Sequence, residues 1–340
     1  MSQLVEIEFE EDNEEYESNN VEIIFERDLE SIKGRLRLGL CCINTQLRTG
    51  KVPVFCSRTC IRKNFTVDKA KDLALKNVCD ISKLIEWNKN NNIQCLRLSS
   101  DLFPHFTDTE TEKYTIDFAK DELQKAGELS TSLGHRILMH PGQYNQVGAK
   151  NYNVFEKTVD DLSHHADILD SMNINGDGVL IVHGGGTYGD KENTIRRWIE
   201  QFDDLPKKVK NRLVLENCER QYSTRDCLDI SEACNIPVVF DFHHYNCYSI
   251  VHDTKDNKQE ELHDLLPEVI ETWKDRRVVM HVSEQGEGRL GHHSDYIDKI
   301  PDSLLAIMED NTDLKIDLEV EAKMKEKAIQ KLYKEYKELF

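Results

Sequence analysis

The sequence predicts a single (β/α)8 TIM barrel, an α/β fold in which eight parallel strands alternate with helices. From about residue 35 onward, eight short apolar runs alternate with longer amphipathic stretches. The chain of 340 residues is long enough for such a barrel, which commonly takes about 250. Most of the runs also stop at a polar residue, which is typical of catalytic barrels because their active sites lie at the carboxyl ends of the strands.

The eight strand candidates are rich in Val, Ile and Leu, which is typical of strands covered on both faces of a parallel sheet. They are residues 35–41, 94–99, 136–140, 178–183, 212–216, 237–241, 277–282 and 314–321. Between them, apolar residues recur with helical spacing at 68–90, 114–133, 153–172, 193–205 and 224–234. We expect residues 323–340 to form the closing helix. This regular alternation predicts βαβ units in one parallel sheet.

Residues 1–30 differ from the rest in charge. They hold twelve acidic residues and one basic residue, in a chain whose formal net charge is −19. Dense like charge is typical of disordered segments, so we expect an acidic extension that is disordered or loosely docked, followed by a barrel domain over residues 31–340. The net charge argues against nonspecific coating of DNA but is compatible with a metal-centred nuclease.

Several classes of protein are disfavoured by the sequence. No apolar stretch approaches the roughly 20 residues that a membrane span needs, and the acidic start does not resemble a signal peptide. The ten cysteines lack the spacing of a zinc finger or ribbon, so we expect reduced thiols. We therefore predict an intracellular monomer without a membrane partner.

Metal-type ligands end six successive strand candidates. In chain order they are His140, His183, Glu216, Asp241 with His243 and His244, His281, and Glu321. In a barrel these side chains would converge on one mouth, where unpaired buried charge is costly unless cations neutralise it. Mixed nitrogen and oxygen ligation suits Zn²⁺, Mn²⁺ or Fe²⁺, and the ligands exceed the needs of one tetrahedral ion. We predict two or three divalent ions with bridging carboxylates.

The strand ends alone do not decide the reaction. Adjacent metal ions favour hydrolysis of a phosphate ester, and sugar isomerisation on a metal-binding barrel is the alternative. A polar tip, Gln143-Tyr144, follows the Pro141-Gly142 stop beside the predicted metals. Tyrosine can stack on bases and glutamine can replace their hydrogen-bond partners, which favours a nucleic-acid substrate. A non-catalytic binder of damaged DNA is a third hypothesis, disfavoured by the complete set of ligands.

The order of these motifs resembles that of the UV-damage endonuclease family, repair nucleases that nick DNA on the 5′ side of photoproducts. The resemblance runs from about Arg37 to about Lys325. The motifs that carry it are Leu38-Gly39 with Asn44 downstream, residues 97–104, 139–144, 183–185, 215–217, 241–244, 281–283, 291–296 and 320–323.

The resemblance implies a single barrel related to endonuclease IV and xylose isomerase, with up to three divalent ions, commonly Mn²⁺ with Zn²⁺ or Mg²⁺ as alternatives. It implies metal ligands at His140, His183, Glu216, Asp241, His244, His281, His293 and Glu321. Among these we assign catalytic roles to Glu216, His244 and Glu321. The damage probes fall on Gln143 and Tyr144, and further contacts to DNA or the lesion are expected at Asn44, Ser100, Asp101 and Lys323.

The implied substrate is UV-damaged double-stranded DNA. The implied reaction is a nick immediately 5′ to a cyclobutane dimer or a 6-4 product, leaving a 3′-hydroxyl and a 5′-phosphate. Two positions depart from some members of the family. Leu40 stands where an aromatic residue can line the lesion pocket, and Val279 stands where a lysine can lie near the metals.

Overall fold

The computed structural model of the protein describes residues 28–255 and 258–340, and its eight parallel strands close into one barrel. Strand order follows the chain, and the last strand pairs with the first. The strands are β1 Leu36–Cys41, β2 Cys95–Leu98, β3 Arg136–Met139, β4 Leu180–His183, β5 Leu213–Glu216, β6 Val238–Asp241, β7 Val278–Val282 and β8 Ile316–Val320. The predicted fold class is therefore confirmed, with every strand inside its predicted range.

Helices cover the outside of the barrel in the described part of the chain. They are α1 Leu29–Ile32, α2 Thr45–Arg48, α3 Val67–Asn90, α4 Lys120–Ser132, α5 Tyr152–Ser171, α6 Lys191–Asp203, α7 Lys207–Lys210, α8 Thr224–Cys234, α9 Phe242–His252, α10 Leu262–Thr272, α11 Asp302–Asp310 and α12 Glu326–Glu335. Short 3₁₀ helices lie at Arg62–Asn64 and Asp117–Ala119. None of the described helices is long and apolar enough to cross a membrane.

The five predicted internal helices are present with shifted ends, but six other described helices, α1, α2, α7, α9, α10 and α11, were not predicted. One of them, α9, begins directly after the strand residue Asp241, whose side chain caps the helix by accepting from the His244 amide. Another, α10, contains Pro267, a residue that argues against a helix in sequence analysis. The closing helix α12 is shorter than predicted.

The described part of the chain begins at Asp28, next to helix α1. Helix α1 spans residue 30, Asp28 caps it by accepting from the Ser31 amide, and Ile32 is fully buried. The predicted acidic extension over residues 1–30 lies outside the described residues, apart from its last three positions. All ten cysteines are free thiols, as expected.

The end of the barrel opposite the mouth is closed by an ion-pair cluster. The carboxylate of Asp317 in β8 is fully buried and pairs with the Arg37 guanidinium through two bonds of 2.6 and 2.9 Å. The Arg136 Nη1 atom donates to the same carboxylate at 3.0 Å. Although burial opposes the charge on Arg37, its hydrogen bonds to Asp317 hold the pKa of that guanidinium above its ordinary value.

We predict that Asp317→Asn lowers the free energy of unfolding by about 3–5 kcal/mol, because it leaves two buried guanidinium groups without their counter-charge. Urea unfolding followed by circular dichroism measures the loss. The matched control is Asp298→Asn, which breaks an ion pair between Lys331 and an exposed carboxylate and should cost no more than about 1 kcal/mol. Equal losses in the two variants would contradict the role of the cluster.

Candidate metal centre

A single buried carboxylate, Glu216 at the end of β5, stands at the centre of the barrel mouth, the end where the carboxyl ends of the strands meet. Its Oε2 atom lies 2.8 Å from His140 Nε2 and 3.6 Å from His183 Nε2. Its Oε1 atom lies 3.0 Å from His281 Nδ1 and 3.3 Å from His244 Nδ1. Four imidazoles from four elements therefore converge on one side chain, as the strand ends predicted.

Three overlapping groups of side chains could hold metal ions. They are His140 with Glu216 and His281, His183 with Glu216 and His244, and Asp241 with His281 and Glu321. In each group, the potential ligand atoms all lie within 4.8 Å of one another. Glu216 and His281 each belong to two groups, which is the arrangement expected of bridging or neighbouring ligands.

The eighth predicted ligand, His293, lies at the edge of the cluster rather than in one of the three groups. Its Nε2 atom is 3.6 Å from Glu321 Oε2, and its side chain is 30% exposed. His293 follows β7 on a loop that is held to the barrel by backbone bonds, including Ser294 N to Glu284 O at 2.8 Å. The structure thus brings seven of the predicted ligands together and places His293 beside them.

The charges of the cluster are strongly coupled. Burial raises the pKa of Glu216, but His183 and His281 outweigh burial and hold that pKa well below its ordinary value. Burial lowers the pKa of His183 to about 4. The pKa values of His244 and His281 are raised despite burial, because of Asp241 and Glu216 for the former and mainly Glu216 for the latter.

The ligands are held by a second set of contacts. The Asn217 side chain accepts from the Asp241 amide at 2.8 Å and donates to the Asp241 carbonyl at 3.0 Å. The Nδ1 atom of His244 also lies 3.0 Å from the Asn217 carbonyl oxygen. Such outer contacts fix the orientation of ligand side chains. Asn217 therefore locks the relative positions of β5, β6 and the first turn of α9.

Two charged residues of the centre, Glu319 and Arg97, were missed in the sequence. Glu319 is fully buried in β8, with its Oε2 atom 2.9 Å from His281 Nε2. Arg97 in β2 donates a short hydrogen bond to Glu321. The signal was present for Glu319, since Asp317 and Glu319 in β8 and Glu321 just after it alternate, and alternating residues of a barrel strand point inward.

The donor set fits divalent cations of the first transition row. It combines imidazole nitrogens with carboxylate oxygens, the ligation that Mn²⁺, Zn²⁺ and Fe²⁺ accept. Two buried donor atoms in it, Asp241 Oδ2 and His183 Nδ1, have no hydrogen-bond partner among the described residues. Val279 in β7 is fully buried, so no lysine enters the cluster from that position.

The predicted damage probes lie on the loop after β3, at the same mouth. Gln143 and Tyr144 are exposed at a tip formed by residues 142–145. The Tyr144 hydroxyl donates to Asp161 Oδ1 at 3.2 Å, while 62% of the residue remains exposed. Burial of the hydroxyl, and then the Asp161 charge, raise the pKa of Tyr144.

The other predicted DNA contacts differ in exposure. Asp101 and Lys323 are exposed and Ser100 is half-buried, all just beyond strand ends. Asn44 is fully buried instead, and its Oδ1 atom accepts from the Leu47 amide at 2.9 Å, so it caps α2. Its role near a lesion stays a prediction. Leu40 is also fully buried, in the core.

We predict that Mn²⁺ raises the melting temperature of the metal-free protein and that Glu216→Gln removes most of this gain. A ligand at 100 times its Kd stabilises by about 2.7 kcal/mol, and Gln lacks the charge that two of the groups share. Melting curves with and without Mn²⁺, and elemental analysis after dialysis, measure both effects. Glu128→Gln on the exposed face of α4 is the control. Wild-type Mn²⁺ content in Glu216→Gln would contradict the assignment.

Comparisons with known proteins agree with this geometry. A sequence model described as UV-endonuclease UvdE matches residues 36–339. The chain is 38% identical to the UV-damage endonuclease of Schizosaccharomyces pombe, over 90% of this chain and 51% of that protein. It is 33% identical to the UV DNA damage endonuclease of Clostridium perfringens, over 89% of this chain and 71% of that protein. The chain thus spans about half the length of the fission yeast relative.

Solved structures give the same result. The crystal structure of SacUVDE superposes with a TM-score of 0.76 at 29% identity, over 89% of this chain and 99% of that one. Endonuclease IV from Thermus thermophilus superposes with a TM-score of 0.54 at 14% identity, over 89% of this chain and 99% of that one, a likeness of fold alone. With a family match that covers nearly all of the described barrel, the chain belongs to the UV-endonuclease UvdE family.

Proposed function

We propose that this chain is a metal-dependent DNA repair endonuclease that nicks duplex DNA immediately 5′ to UV photoproducts. The substrates are cyclobutane dimers and 6-4 products, and the products carry a 3′-hydroxyl and a 5′-phosphate. The observation that carries the proposal is the cluster around Glu216, which presents three overlapping sets of metal ligands at the barrel mouth of a UvdE-family chain.

The ions would be held by the three groups around Glu216, with His293 completing the set at the Glu321 side. We propose two or three Mn²⁺ ions, with Zn²⁺ or Mg²⁺ as alternatives. When bound, such ions supply positive charge to a phosphodiester and a hydroxide source at neutral pH.

The protein's own share of the chemistry is positioning. Glu216 lies within hydrogen-bond distance of His140 and His281 and so fixes both imidazoles, and Glu321 is held by Arg97. His244 is anchored at Nδ1 by the Asn217 carbonyl. We assign the catalytic roles to Glu216, His244 and Glu321, because the reacting phosphate must be held in one geometry for the step to be fast.

Damage recognition is assigned to the tip beside this centre. A photoproduct weakens stacking, so opening the duplex there costs less free energy than opening intact DNA. The exposed Tyr144 ring can stack on a base, and Gln143 can supply hydrogen bonds to bases that lose their partners. Contacts from Ser100, Asp101 and Lys323 would hold the flanking strand. Asn44 would act near the lesion, through the loop that it caps.

Two other functions are weaker. A sugar isomerase would share the barrel and the metals but gives no role to an exposed Gln-Tyr tip. A non-cutting binder of damaged DNA gives no role to four imidazoles around one buried carboxylate, since such a cluster is costly without metal. We propose that the protein acts as a monomer.

The deciding test is a nicking assay on supercoiled plasmid, with and without UV irradiation. We expect the purified protein with Mn²⁺ to nick only irradiated plasmid, and chelator to abolish nicking. DNA polymerase should extend the nicks directly, since they carry a 3′-hydroxyl. Glu321→Gln should reduce nicking at least roughly a hundredfold, the loss typical of a missing catalytic contact. Binding without nicking under all metal conditions would contradict the proposal and support a non-cutting binder of damaged DNA. Aldose–ketose exchange without DNA binding would support the sugar isomerase instead.

We also predict that Gln143→Ala combined with Tyr144→Ala weakens the preference for irradiated DNA. Losing one stacking contact costs about 1–3 kcal/mol, which corresponds to roughly a tenfold drop in preference. Competition between irradiated and intact duplex measures it. Tyr152→Ala is the matched control, because Tyr152 is 63% exposed, much like Tyr144 at 62%. An equal loss on both duplexes in the double variant would show that the pair is not a probe.

A further inference from the structure

A buried carboxylate beneath the tip has no role in the chemistry described above. Asp161 lies in α5 and is 2% exposed. Its Oδ1 atom accepts from the Thr107 hydroxyl at 2.7 Å and from the Tyr144 hydroxyl at 3.2 Å. Its Oδ2 atom accepts from Asn145 Nδ2 at 2.8 Å. One side chain therefore receives three hydrogen bonds from two different loops.

The tip itself is a closed turn that depends on these bonds. Both the Asn145 amide and Asn145 Nδ2 donate to the Gly142 carbonyl at 3.0 Å. The Tyr144 ring folds back over Gly142, where an added Cβ would come within 2.4 Å of a ring carbon. Asp161 thus fixes the tyrosine ring at its hydroxyl end, while Asn145 closes the turn beneath it.

We propose that Asp161 is a positioning residue that presets the Gln143–Tyr144 tip for reading damage in DNA. The inference rests on the proposed function, since it takes Tyr144 to be a probe. A tip that is already ordered loses less conformational entropy on binding, so more of the contact energy appears as affinity. The gain is selective, because only a lesion site lets the probe enter.

The carboxylate also couples the two surfaces that are expected to touch DNA. Thr107 belongs to the loop after β2, which also carries Ser100 and Asp101. Thr107 and Tyr144 donate to the same oxygen of Asp161, so a shift of either loop alters the hydrogen bonding of the other. We infer that Asp161 sets the position of the loop after β2 relative to the Gln143–Tyr144 tip.

A carboxylate suits this site better than an amide does. The Thr107, Tyr144 and Asn145 side chains all donate to Asp161, and a carboxylate offers only acceptors. A fourth side chain, His165, lies with its Nδ1 atom 3.5 Å from Asp161 Oδ2. In Asp161→Asn, the new amide group has two possible orientations. It either faces Asn145 Nδ2, so that two donors oppose each other, or it faces the Thr107 and Tyr144 hydroxyls, which then accept from it and lose their bond to a charged group. Asn145 does not relieve this by flipping, because its carbonyl oxygen would then face the Gly142 carbonyl. The change is nearly isosteric, yet it weakens the link to the tip because it removes the charged acceptor.

The test compares Asp161→Asn with Asp170→Asn, a control on the same helix whose carboxylate pairs with Arg212 at 2.6 Å away from the tip. We measure kcat and KM for nicking a duplex with one cyclobutane dimer, and the Ki of the same intact duplex as competitor. Asp161→Asn should lower the ratio of Ki to KM roughly tenfold, the effect of losing one hydrogen bond to a charged group. The kcat at saturation should stay within about twofold, because the metal ligands are untouched. Asp170→Asn should leave the ratio unchanged at a similar loss of melting temperature.

Tyr144→Phe supplies the specific readout, because it keeps the ring and removes only the hydroxyl. Asp161→Asn and Tyr144→Phe together should lower the ratio no further than the more damaging single change, as expected of residues that act through one contact. Additive losses, or an unchanged ratio in Asp161→Asn, would overturn the proposal. Should Asp161→Asn fail to fold, Thr107→Val and Tyr144→Phe decide, and an unchanged ratio in both would overturn it.

The outcomes also separate this inference from the proposed function. If the wild-type protein shows no preference for the dimer, the proposed function itself is contradicted. If the wild-type protein shows the preference and Asp161→Asn keeps it unchanged, only the positioning role of Asp161 is contradicted.

Discussion

The structure depends on the convergence of charge inside a closed barrel. Eight parallel strands bring their ends to one mouth, and Glu216 sits where four of the polar side chains meet. A carboxylate buried this deeply is stable only when positive charge surrounds it. Imidazoles provide that charge when protonated and become ligands when a metal ion replaces the protons. Folding of the barrel and assembly of the candidate metal centre therefore depend on the same balance of buried negative and positive charge.

Strand β8 and the residue after it show how buried carboxylates are paired with positive charge from one end of the barrel to the other. Asp317, Glu319 and Glu321 all point inward, and each meets positive charge from other strands. At the closed end the charge comes from arginines, which stay protonated at every physiological pH. At the mouth it comes mainly from imidazoles, which can exchange protons for cations. Gly39 in β1 leaves room for the Glu319 side chain, since an added Cβ would lie 3.3 Å from its Cγ.

The fold and most of the centre could be predicted because they follow from periodicity. Because the carboxyl ends of all strands in a barrel lie at one mouth, His140 and Glu216 come together although 76 positions separate them in the sequence. Glu319 was missed because the eighth strand was treated as a single apolar run, although its alternation was visible. Helix α9 was missed because its histidine-rich sequence carries no apolar stripe. Asn44 lies after β1, as predicted, but its burial was not predicted. That burial depends on how α2 packs, which the local sequence does not determine.

The strand ends and the loop tip at the barrel mouth are held in position in different ways. The metal ligands need no separate support beyond contacts such as Asn217, because the barrel fixes their backbone. A tip of four residues has no such frame, and its side chains can act as a wedge only if something holds them before DNA arrives. The bonds from Thr107, Tyr144 and Asn145 to one buried carboxylate supply that frame. That carboxylate belongs to α5, an element that contributes no residue to the three candidate metal-ligand groups. If the tip reads damage as proposed, changes in Asp161 and its two loops would alter recognition and leave the residues around Glu216 untouched.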